Sequence, residues 1–291
     1  MEEKKRLGQS ANQLKQAIIS KINEIQADLK REKKEKFLDI TILGTKFPEG
    51  HLNLVTTAIR EIDEIFQRIG FNRRCYPEVE WDWYAFESLN MPPDHPARDE
   101  WETFFIDSRP IGSKGQRLLT PHTSSGQVRE MEKGKLPIRI TNISKCYRRQ
   151  YDISHVPMFH QFEGLLIDKN VTIAHLKGTV DYFVKQFFGP ERKIRLRPFH
   201  FQFTEPSFEI DISCGICQGR GCKLCKGGWL ELAGAGMVHP KVLEAGKIDP
   251  KKYSGFAFGW GVERTYAMKS GLNLDDIRPL YEPDLRFINQ F

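Results

Sequence analysis

The chain has 291 residues, of which 40% are hydrophobic and 28% charged, and its formal net charge at pH 7 is +6. This composition excludes a largely disordered chain, and no apolar run approaches the roughly 20 residues that a membrane-spanning helix needs. The mildly basic balance is compatible with an anionic partner such as ATP or RNA, although many proteins share it.

The N-terminal part of the sequence predicts two helices. Residues 1–36 are basic and start without the apolar segment of a secretory signal. Four apolar residues recur there at helical spacing: Ile18, Ile22, Ile25 and Leu29. This helix is either one arm of a coiled coil or a solvated helix packed on the domain. A second apolar stripe predicts a helix over residues 52–69, with Gly70 as its C-cap.

The rest of the sequence favours strands joined by turns. A strand-like segment at 76–81 contains Pro77, which is typical of an edge or a bulge. Five further segments have strand character: 138–143, 146–151, 159–166, 194–203 and 209–213. Two helices are predicted outside them, one near 173–188 and one after Gly261. Together these elements predict an α+β domain built on an antiparallel sheet flanked by helices.

Four of the six cysteines form two CxxC pairs, Cys214 with Cys217 and Cys222 with Cys225. Four thiolates can close a tetrahedral Zn²⁺ site with bonds of about 2.3 Å, and such a closed site is structural because it leaves no position for substrate. A redox pair or an iron–sulfur site is the alternative, but nothing else in the sequence suggests electron transfer. The clustering also favours a reducing compartment, so we expect a cytoplasmic protein.

A glycine-rich segment offers a phosphate site. Gly259, Gly261 and Arg264 form a GxGxxR pattern between the apolar run at 256–258 and a predicted helix. The glycines allow close approach of a ligand, and the arginine presents a planar cation to a phosphate. In isolation, a helix start with a surface arginine explains the pattern better.

Two strand patterns offer an amino-acid site. Gln161 and Glu163 lie two residues apart and therefore on one face of a strand, where they could bind an ammonium group or simply pair across a wet sheet. Phe199, Phe201 and Phe203 also alternate. Sheet core is the commoner meaning of such a stripe, and an aromatic pocket for an apolar side chain is the functional one.

These patterns occur in the order of the three motifs of class II aminoacyl-tRNA synthetases, which the chain resembles. The helix at 52–69 together with Pro77 resembles motif 1. The segment from Arg148 to Glu163 resembles motif 2, and the segment from Gly259 to Arg264 resembles motif 3. Four strings extend the resemblance to the α subunits of bacterial-type phenylalanyl-tRNA synthetases: LLTPHTS at 118–124, MFHQFEG at 158–164, FTEPS at 203–207 and YSGFAFG at 253–259. The resemblance implies ATP-dependent charging of tRNA(Phe) with phenylalanine, with Mg²⁺, in an α2β2 heterotetramer with a β subunit.

For ATP, the resemblance implies that Arg148 holds the α-phosphate and Arg264 the γ-phosphate. Four residues are implied to border the nucleotide: Phe256, Phe258, Gly259 and Gly261. The two phenylalanines are implied to lie on its adenine side. Glu205 resembles a Mg²⁺ ligand in a site shared with the β subunit. This set suits the reaction, because attack of a carboxylate on the α-phosphate needs positioning and cationic stabilisation more than acid–base chemistry.

For phenylalanine, the resemblance implies that Gln161 and Glu163 bind the ammonium group. Three residues are implied to line the end that receives its polar group: His122, Ser124 and Gln127. The phenyl ring is implied to stack on Phe201 and Phe203, with Ala257 as a small pocket floor.

The sequence departs from the family pattern at two places. The family has an N-terminal coiled coil of two long helices, whereas residues 1–40 provide one candidate, so we expect a shortened helical arm before a catalytic domain at 41–291. A zinc loop at 214–225 replaces a short turn. Three other functions are alternatives. A non-catalytic paralogue is expected to have lost the motif residues, and the other two alternatives are a synthetase for another amino acid and a zinc-ribbon nucleic-acid binder.

Overall fold

The computed structural model divides the chain into two units, Met1–Glu49 and Gly50–Phe291. The residues that the structure describes are 1–32, 41, 44, 50–96, 98, 103–107, 109–110, 112–151, 155–223, 225–269, 277–282 and 284–290. The end of the first predicted helix, at 33–36, and the predicted boundary at residue 40 lie outside them.

Eight α-helices and nine strands are found within the described residues. The helices are α1 (Glu2–Glu32), α2 (Leu54–Gln67), α3 (Asp82–Ala85), α4 (Ser125–Met131), α5 (Ile173–Phe188), α6 (Pro240–Ala245), α7 (Val262–Ala267) and α8 (Leu285–Ile288). The strands are β1 (Asn72–Arg74), β2 (Val79–Trp81), β3 (Arg117–Leu119), β4 (Ile138–Tyr147), β5 (Met158–Asp168), β6 (Ile194–Phe201), β7 (Thr204–Ser213), β8 (Trp229–Val238) and β9 (Ser254–Gly261). Among these helices, none is long and apolar enough to cross a bilayer.

Helix α1 carries an apolar stripe that is exposed along its length. The predicted helix is confirmed from Glu2 to Glu32. Its large apolar side chains are all about half exposed or more: Leu7, Leu14, Ile18, Ile19, Ile22, Ile25 and Leu29. An exposed apolar stripe of this kind is typical of a helix that pairs with another helix.

The predicted antiparallel sheet is confirmed. Seven strands lie in the order β1-β4-β5-β9-β8-β7-β6, and every neighbouring pair is antiparallel except β1 with β4. Strands β2 and β3 form a separate antiparallel pair. The prediction of a separate strand at 146–151 was wrong, because β4 runs unbroken to Tyr147 and the chain then leaves the sheet.

Helix α2 begins and ends where its sequence indicates. The Asn53 side chain caps it by accepting a hydrogen bond from the Val55 N–H at 2.8 Å. Gly70, predicted as the C-cap, lies beyond the cap residue Arg68 and has φ +83°. This left-handed conformation lets the chain turn back into β1 without the steric cost that a side chain would add.

The alternation of side chains gives the large sheet two different faces. One face packs on α2 and α5 through stacked rings, with Phe66–Phe162 centroids 4.8 Å apart and Phe183–Trp260 centroids 4.5 Å apart. The other face, around Leu165, is covered by α3, α4 and α6. The covering is incomplete near Gln161, and the candidate site lies in that gap.

Candidate active site

A cavity of about 210 Å³ lies on the second face of the sheet, over β5, β7, β8 and β9. Seven residues that the sequence assigned to the amino-acid site line it: Ser124, Gln127, Gln161, Glu163, Phe201, Phe203 and Ala257. These residues come from separate segments of the chain, and the fold brings them together. His122 is buried beside the cavity, where its ring stacks on Phe203 at 6.5 Å between centroids.

Glu163 is the buried acid of this cavity. Its carboxylate accepts hydrogen bonds from Ser124 Oγ at 2.5 Å and Thr123 Oγ1 at 3.2 Å. Burial raises the pKa of Glu163 to about 7, although these hydroxyls and the nearby Gln127 amide favour its charged form. The group is thus poised between neutral and charged near physiological pH, and a bound cation would stabilise the charged form.

One polar side chain beside Glu163 favours a ligand. The Gln127 amide is buried, yet neither its nitrogen nor its oxygen has a hydrogen-bond partner of good geometry among the described residues. Such a group is costly unless a ligand or water satisfies it. Burial and then the charge of Arg148 lower the pKa of His122 to about 3, so this ring is neutral at pH 7.

The apolar end of the cavity is aromatic. Phe201 and Phe203 stack with centroids 5.7 Å apart, and a Cβ added at Gly234 would lie 2.8 Å from the Phe201 ring. Phe203 lies in the turn after β6, and Phe199, the third ring of the predicted stripe, is half exposed and does not line the cavity. Gly234 therefore leaves room for the tip of the Phe201 ring.

Strand β9 corrects one expectation about the nucleotide. Because side chains alternate, Ala257 and Gly259 face the cavity, whereas the rings of Phe256 and Phe258 face the opposite core and are almost fully buried. Phe258 borders the cavity, but its ring packs over Gly164. Neither ring can therefore stack on adenine. The expectation came from the resemblance alone, and strand alternation excludes it.

Arg148 follows directly on β4 and lies beside an aromatic ring. Its Nε donates to the Pro121 carbonyl at 3.3 Å, and its guanidinium lies 5.1 Å from the centre of the Phe159 ring. Burial lowers its pKa, but an arginine side chain remains protonated. Phe159 is the partly exposed ring next to this cation; in the sequence it stands out only as part of the string at 158–164.

Arg264 lies in the first turn of α7 and is exposed. The residue before it, Glu263, is buried and was missed in the sequence. Glu263 accepts hydrogen bonds from the His160 N–H at 2.9 Å, from His160 Nδ1 at 2.8 Å and from the Tyr281 hydroxyl. These contacts fasten the start of α7 to β5, so they fix Arg264 relative to Gln161 and Glu163.

Helix α4, which begins directly after Ser124 and contains Gln127, is held in place by an ion pair. Arg129 donates from Nε and one Nη to the two oxygens of Glu80, both at 2.6 Å, and Glu80 is fully buried. The guanidinium also lies 4.1 Å from the centre of the Tyr84 ring. A bidentate pair of this geometry fixes the helix in orientation as well as position.

The four clustered cysteines converge on a common centre. All four sulfurs lie within 4.8 Å of one another. The sulfur atoms are 3.9 Å apart for Cys214–Cys222, 3.4 Å for Cys217–Cys225 and 3.5 Å for Cys222–Cys225. A tetrahedral zinc site with bonds of 2.3 Å has sulfurs roughly 3.8 Å apart. None of the four cysteines is in a disulfide bond, and their sulfur separations are close to this value.

Glu205 lies apart from the cavity. Its side chain is 71% exposed, and one carboxylate oxygen is 3.2 Å from His239 Nε2. An exposed carboxylate of this kind is free to take part in a metal site that another chain completes. Its role in Mg²⁺ binding stays a prediction.

The fold and the site define a class II tRNA synthetase. Residues 37–291 match the family described as "tRNA synthetases class II core domain (F)", and residues 1–38 match "Aminoacyl tRNA synthetase class II, N-terminal domain". Among solved structures, pyrrolysyl-tRNA synthetase from Desulfitobacterium hafniense superposes with a TM-score of 0.57 at 17% identity, over 79% of this chain and 74% of that chain. This likeness concerns the fold alone.

Curated relatives narrow the class to one family. A phenylalanine–tRNA ligase alpha subunit from Caldicellulosiruptor saccharolyticus is 48% identical and covers 98% of this chain and 83% of its own length. Those from Francisella tularensis subsp. novicida and Pelotomaculum thermopropionicum are 48% and 47% identical, cover 100% of this chain, and match over 85% and 84% of their own lengths. The chain therefore belongs to the phenylalanine–tRNA ligase alpha subunits, a family of class II aminoacyl-tRNA synthetases.

Proposed function

We propose that the cavity binds phenylalanine for activation by ATP and transfer to tRNA(Phe). One observation supports this best: a buried acid, Glu163, stands at one end of the same cavity that Phe201, Phe203 and Ala257 close at the other. An amino acid with an apolar aromatic side chain fits both ends. The ammonium group lies against Glu163 and Gln161, and the ring lies between the phenylalanines and the strand.

Activation follows from this placement. An oxygen of the phenylalanine carboxylate attacks the α-phosphorus of ATP, the bond from that phosphorus to the bridging oxygen breaks, and pyrophosphate leaves. Arg148 neutralises charge at the α-phosphate and Arg264 at the γ-phosphate, so two anions can approach each other. In the second step, a terminal ribose hydroxyl of the tRNA attacks the activated carbonyl and AMP leaves.

Class II synthetases use ATP with Mg²⁺, which supplies further positive charge at the phosphates when bound. Within this chain, Glu205 is the residue proposed to contribute to a Mg²⁺ site together with a β subunit. The name of the relatives, alpha subunit, implies such a partner, and we place the chain in an α2β2 heterotetramer. The lack of disulfide bonds among its cysteines, all of which lie in the described residues, and its proposed use of ATP and tRNA favour the cytoplasm.

Amino-acid-dependent ATP–pyrophosphate exchange tests this function. We expect exchange with phenylalanine among the twenty amino acids, and we expect it to appear or rise strongly when the β subunit is added. Exchange with a different amino acid would reject the substrate, and no exchange in the presence of the β subunit would reject the catalytic role despite the intact Arg148 and Arg264.

Ala257→Gly is expected to admit para-substituted phenylalanines. Ala257 faces the cavity from β9, and removing its methyl group deepens the pocket where a para substituent would lie. We expect activation of para-chlorophenylalanine to rise by roughly tenfold relative to phenylalanine, the scale of a methyl-sized change in an apolar pocket. Ala233→Gly is the matched control, because Ala233 is a buried alanine of the same sheet on the opposite face. Equal substrate ranges for the two variants would place the pocket floor elsewhere.

We propose that the four cysteines hold a structural zinc ion that pins the loop between β7 and β8. The purified chain is expected to bind a single zinc ion tightly and to lose it in Cys217→Ser. Zinc removal by a chelator is expected to lower the unfolding temperature of the native chain. Cys75→Ser is the control, because Cys75 is an exposed cysteine outside the cluster. Zinc binding that survives Cys217→Ser would contradict the site.

A further inference from the structure

Arg192 is a buried cation just before the start of β6. It lies in the turn between α5 and β6, with 7% of its surface exposed. Its guanidinium lies 5.3 Å from the centre of the Phe188 ring. Neither Nε nor one Nη has a hydrogen-bond partner among the described residues, and no carboxylate of those residues forms an ion pair with it. A buried charge without a partner is expensive, so a counter-charge is expected.

The sheet register places Arg192 beside the first cysteine of the cluster. Ile194 pairs with Ile212, and Lys193 exchanges hydrogen bonds with Ser213, whose N–H donates to the Lys193 carbonyl at 2.9 Å. Continuing this register by one residue, just beyond the ends of β6 and β7, would place Arg192 opposite Cys214. Burial lowers the pKa of the Arg192 guanidinium, and the charge of the Cys214 thiolate opposes this effect.

A zinc ion held by four thiolates is negatively charged overall, because the four thiolates outweigh one Zn²⁺. Such a centre needs cations and N–H donors around it. Backbone N–H groups provide part of this stabilisation, since the Gly221 N–H donates to the Cys217 sulfur at 3.2 Å. The exposed lysines of the loop are screened by water and contribute little. Arg192 is buried, so water screens its charge less than it screens the charges of those lysines.

We infer that Arg192 is the counter-cation of the four-cysteine metal centre, stabilising its negative charge and linking the loop to the end of α5; this inference rests on the proposed zinc site. The two groups need each other. Without metal, the guanidinium is an unpaired buried charge, and without the guanidinium, the tetrathiolate centre carries uncompensated negative charge.

The mutual dependence gives a test in which arginine and metal are removed separately. For the full chain, we expect Arg192→Met to weaken Zn²⁺ affinity by roughly 10–100-fold, the usual effect of losing a partner of metal ligands. Competition with a chromogenic chelator measures this affinity, and the spectrum with Co²⁺ reports tetrahedral thiolate coordination. Lys193→Met removes an adjacent exposed charge and is expected to change the affinity by less than roughly fivefold.

Thermal unfolding distinguishes charge compensation from simple packing. We expect Arg192→Met to lower the unfolding temperature of the zinc-loaded chain while leaving that of the zinc-free chain unchanged or higher, because the substitution removes a buried unpaired charge there. Equal lowering in both forms would overturn the inference and leave Arg192 as a packing residue on Phe188. If the zinc-free chains do not fold, the Zn²⁺ affinities of two variants are compared instead. Arg192→Lys keeps the positive charge and should bind Zn²⁺ more tightly than Arg192→Met. Equal affinities of the two variants would overturn the inference.

The two proposals fail in different ways. If the unsubstituted chain binds no Zn²⁺ with thiolate coordination, the zinc site is wrong and the inference falls with it. If the unsubstituted chain binds Zn²⁺ tightly and Arg192→Met binds it equally tightly, the zinc site stands and only the role of Arg192 is rejected.

Discussion

Arg264→Ala is expected to reduce phenylalanine-dependent ATP–pyrophosphate exchange by roughly three orders of magnitude, within the range for an arginine that stabilises charge on transferring phosphates. The fold should survive, because Arg264 is exposed on α7 and its side chain makes no hydrogen bond to the described residues. The expected loss is therefore catalytic. The measurement is exchange by the complex with the β subunit, together with the unfolding temperature.

Two further variants make this result specific. Arg60→Ala removes an exposed arginine from α2, away from the cavity, and should leave exchange unchanged. Arg264→Lys keeps the positive charge but loses the planar fork of donors, so we expect an intermediate rate. Normal exchange by Arg264→Ala would remove this residue from phosphate binding.

The neighbour of Arg264 links the proposed phosphate site to the sheet. Glu263 is hydrogen-bonded to His160 on β5, 103 residues away in sequence, so a strand of the proposed amino-acid site and the helix of the proposed phosphate site share one set of hydrogen bonds. The sequence places Glu263 in the first turn of a helix but carries no signal for its partner. Contacts of this kind depend on strand register, which no local pattern fixes.

Local patterns predicted the parts of the site that depend on local geometry. The CxxC spacing brings four sulfurs together, and a period of two places Gln161 and Glu163 on one face of β5. The same rule could have corrected the assignment of Phe256 and Phe258, because a cavity-facing Ala257 forces both neighbours to the opposite face. The resemblance alone suggested their adenine role.

Strand β4 joins two segments that were predicted as separate strands, 138–143 and 146–151, which Ser144 and Lys145 divide. Despite the polar side chains of Asn142, Ser144 and Lys145, the strand is continuous. Tertiary contacts satisfy these groups: Asn142 Nδ2 donates to the Thr123 carbonyl at 2.9 Å, and Ser144 Oγ donates to Asn142 Oδ1 at 2.6 Å. The polar residues thus connect β4 to the segment that leads into α4, instead of ending the strand.

Glu163→Gln is expected to raise the KM for phenylalanine by about 100-fold, because a neutral amide replaces a buried carboxylate that pairs with the ammonium group. The substitution preserves shape and leaves an oxygen for the Ser124 hydroxyl, so the fold should remain. Glu231→Gln is the matched control, since Glu231 is an exposed carboxylate that borders the same cavity. We expect it to change KM only slightly.

The pH dependence of KM gives an independent test of the same carboxylate. Burial raises the pKa of Glu163 to about 7 in the empty cavity, so the group is mostly neutral below this pH and mostly charged above it. Only the charged form binds an ammonium group, and binding therefore weakens as pH falls. The KM of the unsubstituted enzyme should rise by about tenfold from pH 8 to pH 6, whereas Glu163→Gln should show a flat profile. A flat profile in the unsubstituted enzyme would mean that another group binds the ammonium, and Gln161, together with the unsatisfied Gln127 amide, would then be the candidate partners.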